Sequence, residues 1–181
     1  MKVYMSLLIA VFFMIQGCTA THNQYAVSAS MLAVEASVLK NQYKKVETAI
    51  RTAQDQKKMF SESEWRTLLN VDATLDMLVL KYEALTKLQY AEVSLPDVTF
   101  MYRLAVNGYT QGREVVMAHW DEFQPSSQIM LNAFDTQAQE TSGRVTELLE
   151  NPDNENINEA LTLISGILSL GVKMLGVAAV M

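Results

Sequence analysis

The sequence predicts an all-α fold: an antiparallel bundle of about four amphipathic helices plus a C-terminal apolar helix. Three observations carry this. Apolar residues recur at steps of three and four along much of the chain, the spacing that lines one face of a helix. Only 3 prolines and 7 glycines occur in 181 residues, so long stretches contain no helix breaker. The prolines and one capping signature fall between the periodic stretches. No hairpin dipeptide separates two alternating patterns, so no strand is expected.

The first helix is predicted from Leu32, Ala36, Leu39, Tyr43, Val46, Ile50, Ala53 and Phe60, within the uninterrupted stretch Tyr25 to Met59. At 1.5 Å per residue that stretch spans about 50 Å. "SESE" at Ser61 to Glu64 is a capping-box pattern and starts a second helix. Its apolar face holds Trp65, Leu68, Leu69, Leu75, Leu78, Val79, Tyr82, Leu85 and Leu88. Pro96 is expected to end that helix, because proline lacks a donor and disfavours helix at the preceding residue. Asp97 to Trp120 reads as the third helix, with "NGYTQG" as a defect, since Gly108 and Gly112 each cost about 1 kcal/mol relative to Ala. After Pro125 a fourth helix follows, with Ile129, Leu131, Phe134, Val145, Leu148 and Leu149 as expected core. Asn151-Pro152 breaks the chain before the fifth.

Half the residues are hydrophobic and the formal charge is −6. The chain can bury a core, and a nucleic-acid partner is excluded by the lack of a basic field. Charge is uneven. Residues 40–58 hold six basic residues against two acidic, and 121–160 hold nine acidic against one basic. These are either two solvated faces, or the basic part of the first helix lies beside the acidic fourth, within or between chains. A basic helix near a membrane could also touch anionic headgroups.

At the N-terminus, Lys2 precedes an apolar run from Ser6 to Ile15, followed by Ile15-Gln16-Gly17-Cys18. Cys18 is the one cysteine, so no internal disulfide forms. The pattern resembles a bacterial lipoprotein signal peptide. The resemblance implies cleavage after Gly17 and a diacylglycerol on Cys18. Thr19 at the next position, rather than Asp, implies the outer membrane as destination, facing the periplasm. On this reading residues 1–17 are the signal peptide, 18–24 a tether and 25–150 an α-helical periplasmic domain. Residues 151–181 are a linker and the apolar C-terminal helix.

Catalytic constellations are absent from the sequence. There is no H-E-x-x-H, G-x-S-x-G, Walker A or G-x-G-x-x-G pattern. Only His22 and His119 occur. "AHWDEF" at residues 118–123 reads as a helix C-terminus, where His119 favours the negative end of the dipole. Glu62 with Glu64, and Asp153 with Glu155, read as cap and turn residues rather than an acid–base pair. No catalytic residue, metal or cofactor is expected.

From Ile157 to Met181 the only charges are Glu159 and Lys173. The 22 residues after Glu159 make about 33 Å of helix, enough to cross a hydrocarbon core. Thr162, Gly166, Ser169, Lys173 and Gly176 form one small or polar stripe at steps of four and three. In a membrane such a stripe packs against another helix. In water it is the less buried side of a core helix. The expected function is a non-enzymatic, membrane-anchored envelope protein with a structural or interaction role. Its partners would be membrane lipid through Cys18, and a second copy or another envelope protein through the C-terminal helix. The alternative rests on layout alone. A lipidated N-terminus with an apolar C-terminus is similar to phage unimolecular spanins, which link outer and inner membranes during lysis.

Overall fold

A computed structural model of the protein describes residues 24–57, 60–87 and 91–179. Among these residues lie five α-helices and one two-stranded sheet. The helices are α1 (Ala29–Lys57), α2 (Glu62–Thr86), α3 (Leu95–Ala118), α4 (Pro125–Glu150) and α5 (Asn154–Ala178). The strands are β1 (Gln24–Val27) and β2 (Ala91–Ser94). The all-α expectation holds, with the C-terminal helix apolar as expected.

The C-terminal helix is the hub. α5 packs against α1, α3 and α4, while α2 bridges α1 and α3. Thirteen α5 residues are buried, nine of them the large aliphatics Ile157, Leu161, Ile164, Ile167, Leu168, Leu170, Val172, Met174 and Leu175. Its near-continuous apolar sequence therefore has a packing cause: a helix contacted from several sides is hydrophobic almost all round. Tyr82 of α2 is fully buried, and its hydroxyl donates to the Leu161 carbonyl of α5.

Local sequence fixes where the helices start. Ser61 Oγ accepts from the Glu64 N–H at 3.3 Å, and Glu64 Oε2 accepts from the Ser61 N–H at 2.7 Å, closing the capping box that starts α2. Ser94 caps α3 by accepting from the Asp97 N–H, and Asp153 caps α5 by accepting from the Asn156 N–H at 2.7 Å. Each satisfies a donor that the first turn leaves without an intrahelical partner.

Four sequence expectations need correction. The segment from Tyr25 is not helical at its start. β1 pairs antiparallel with β2, Tyr25 opposite Val93 and Val27 opposite Ala91, all four buried. Alternation over four residues is too short to stand out from helical periodicity. Pro96 does not end α2, which stops at Thr86. It sits in the first turn of α3, where a missing N–H costs nothing. "NGYTQG" is no defect: α3 runs unbroken through it. A Cβ on Gly108 would lie 3.3 Å from Thr74 Cγ2, and one on Gly112 would lie 3.6 Å from Leu175. Gly108 lets α3 approach α2 closely, whereas a side chain's Cβ at Gly112 would make only ordinary contact with Leu175 of α5. Finally, two expected core residues face outward, Ile129 at 72% and Leu69 at 41% exposure, whereas Leu131, Val145 and Leu148 are buried as expected.

Two residues of the basic stretch of α1, Lys40 and Arg51, reach α2 rather than α4, while Lys44 and Lys45 are exposed. Lys40 pairs with Glu83 at 3.1 Å, and Arg51 lies 2.8 Å from Glu47 and 3.6 Å from Asp72. In the acidic α4–α5 region, Arg144 pairs with Glu147 and Glu159.

Candidate functional site

Cys18 and Gly17, the expected lipidation and cleavage positions, lie outside the described residues. The described chain begins at β1, whose outer edge is closed by side chains. The Ala26 N–H donates to Asn154 Oδ1 at 3.0 Å, and the Ser28 N–H to Asn158 Oδ1 at 2.9 Å. Asn158 Nδ2 donates back to the Ala26 carbonyl at 3.0 Å. Two asparagines one turn apart on α5 thus act as a third strand and protect an edge that would otherwise pair with another chain. Whatever precedes Gln24 is joined through β1 to the N-terminus of the hub helix. Sequence reading missed this clamp. Its signal, Asn at i and i+4 beside a helix start, is visible only once the strand is known.

The small and polar stripe of α5 runs under α1. The Thr162 hydroxyl lies 3.3 Å from Met31 Sδ, the Ser169 hydroxyl donates to Gln42 Oε1 at 2.6 Å, and a Cβ on Gly176 would lie 3.5 Å from Val46. Gly166 has nothing within 4 Å of a built Cβ, and Lys173 is exposed. The stripe is therefore covered at three positions and open at two.

His119 ends α3 and joins it to the start of α2. Its Nδ1 lies 3.0 Å from Glu122 Oε1. Its Nε2 lies 3.1 Å from Glu64 Oε1, but out of line for a hydrogen bond. Phe60 meets the ring edge-on at 5.9 Å. Burial alone would raise the Glu64 carboxyl. The Ser61 hydroxyl and N–H, with His119 beside it, outweigh burial and hold it below the ordinary range. These residues fasten two helix ends.

A cleft of about 400 Å³ opens between α3 and α4, with Ile167 of α5 among its walls. Asp135 sits in it as a shared acceptor. Arg113 Nε and Nη2 donate to its two oxygens at 2.6 and 2.9 Å, and the Tyr109 hydroxyl donates to Oδ1 at 2.7 Å. The fork-to-carboxylate geometry is the strong form of such a pair. The Arg113 hydrogen bonds hold the Asp135 carboxyl below its ordinary value against the opposing effect of burial, with Tyr109 adding to the lowering. Burial first, then Asp135, pushes the Tyr109 phenol up. Nearby, the Tyr102 hydroxyl bonds Ser142 and Thr146 of α4. The network ties α3 to α4. It contains no nucleophile beside a free base, and the carboxylate is already fully engaged.

A second crevice lies between α1 and α2, walled by Tyr43, Ile50, Trp65, Leu68 and Val172. Asp72 stands at its edge. Burial, and then the charge of Asp76, raise its carboxyl. Among the described residues no three His, Cys, Asp or Glu side chains converge to hold a metal. α5 is the one described helix long and apolar enough to cross a membrane, and 61% of that window is buried inside the bundle. No protein family, curated protein or solved structure matches the chain.

Proposed function

We propose that the chain is a non-enzymatic, lipid-anchored helical protein of a bacterial envelope, with a structural or protein-interaction role. It would sit on the outer membrane, facing the periplasm. One observation supports this most: the apolar surface of the C-terminal helix is already covered by α1, α3 and α4. Unfolding the bundle to insert α5 would expose that core to water, so membrane attachment falls to Cys18. The folded body then stands at the end of a short tether. The same packing weighs against the spanin-like alternative, which needs a free C-terminal segment and an extended chain. Here successive helices pack on one another instead. A partner reaching the C-terminal helix would meet Gly166 and Lys173, the stripe positions that α1 leaves open.

Metabolic labelling with a fatty acid tests the anchor. The unsubstituted chain is expected to carry label and to fractionate with membranes. Cys18→Ser is expected to lose the label. Label retained on Cys18→Ser would overturn the anchor.

A further inference from the structure

Helix α2 is apolar on two opposite faces. The inner face, with Leu68, Val71, Leu75, Leu78 and Tyr82, is core. On the outer face lie Leu69, Ala73, Met77, Leu80 and Ala84, at steps of four, four, three and four. Leu69, Met77 and Leu80 are 41%, 44% and 64% exposed, and both alanines are exposed. No described helix covers this line. Arg66 and Lys87 bound it at its ends.

The charges beside the stripe say what covers it. Asp72, Asp76 and Glu83 flank one side, and Lys81 flanks the other. Asp72 and Glu83 have partners on α1. Asp76 makes no ion pair among the described residues, and neither does Lys81, whose Nζ lies 5.6 Å from the Phe100 ring centroid. Five residues apart on one helix, Asp76 and Lys81 point about 140° away from each other and cannot meet. Across a parallel helix pair they do meet, because charges on opposite flanks, five residues apart, face each other between chains. An antiparallel pair would instead set the acidic flank against itself.

We propose that the outer face of α2 is the contact surface for a second copy of this chain, with the two α2 helices parallel about a two-fold axis. Met77 and Leu80 meet their own counterparts on the axis, and Ala73 and Ala84 allow close approach. Asp76 of each copy pairs with Lys81 of the other, twice by symmetry. The parallel arrangement also brings both Gln24 ends to the same height, facing one membrane; that consequence rests on the lipid-anchor reading, whereas the seam does not. The seam is small for a stable dimer, and anchoring two copies in one membrane would raise their effective concentration.

Disulfide trapping tests the seam apart from the anchor. Leu80→Cys is placed in full-length Cys18→Ser protein, and its oxidation to a covalent dimer is compared with that of Ile129→Cys, a slightly more exposed position on α4. Leu80→Cys is expected to cross-link about tenfold faster, Asp76→Lys to slow it about tenfold, and Asp76→Lys with Lys81→Asp to restore it. Equal rates at residues 80 and 129 would overturn the proposal and leave the stripe to another protein or a lipid surface. So would an unaltered rate in Asp76→Lys. Faster cross-linking of Leu80→Cys to an Ala73→Cys chain than to itself would overturn the parallel arrangement. Because Cys18 is absent throughout, failure here leaves the lipid anchor untouched, and failure of fatty-acid labelling leaves the seam untouched.

Discussion

Asp135 is one of the residues that hold α3 and α4 together, beside the Tyr102 contacts to Ser142 and Thr146. It accepts from both nitrogens of the Arg113 fork and from Tyr109, and its side chain is mostly shielded from water. Hydrogen bonds to a charged group contribute about 1.5–3 kcal/mol when buried; Arg113 is partly exposed, which places this network near the lower end. Asp135→Asn is therefore expected to lower unfolding free energy in urea by about 1–2 kcal/mol at pH 7. The carboxyl is held below its unfolded value, so folded protein binds fewer protons than unfolded protein in that window. Its contribution is fully present above about pH 4, the unfolded value. It is lost as pH falls through the lower folded value. Denaturation curves of the two proteins are expected to converge in acid; a gap unchanged at pH 2 would assign the effect to packing. None of this was legible in the sequence. Tyr109 and Arg113 share a face four residues apart, but nothing local says that Asp135, on another helix, lies opposite them.

At the scale of elements, the clearest case is β1. Four residues pair with β2 on one side and are closed by Asn154 and Asn158 on the other. Asn158→Ala removes the acceptor for the Ser28 N–H and one donor to the Ala26 carbonyl. Both groups are near solvent, so water replaces the bonds and the global loss is about 1 kcal/mol or less. The local effect is larger. Amide exchange at Ser28 is expected to quicken at least tenfold, while α5 core amides are slowed as before. Uniform change across the chain would mean that β1 is no separate opening unit. The caps at Ser61 and Asp153 were readable, because each acts within three residues of itself; the Ser94 cap was not read, because Pro96 two residues on looked like the end of α2. The glycines of α3 were not readable either. Their cost to a lone helix is local, but the use of Gly108, close approach of Thr74, belongs to another helix.

For the whole molecule, α5 decides stability. Nine large aliphatic side chains are buried along it, each contributing about 1.5–3 kcal/mol. Their sum, before the entropy of ordering the helix is subtracted, is as large as the roughly 5–15 kcal/mol that separates a folded domain from its unfolded chain. A chain ending at Asp153 is therefore expected to lose its cooperative thermal transition and most of its helical circular dichroism. If the truncated chain melted cooperatively with unchanged helicity per residue, the C-terminal helix would be an appendage rather than the hub.

The sequence by itself determined the helical class, the starts of α2 and α4, and most of the core positions on α1, α2 and α4. These depend on periodicity and on contacts within one turn, which the chain carries locally. Only the tertiary structure decided what surrounds the C-terminal apolar run. Length and hydropathy describe how strongly a helix avoids water, and a bilayer and a ring of three helices meet that demand equally well. It also decided that "NGYTQG" is a crossing point, that Ile129 faces solvent, and that Tyr25 to Val27 belong to a strand, because each depends on a neighbour many residues away.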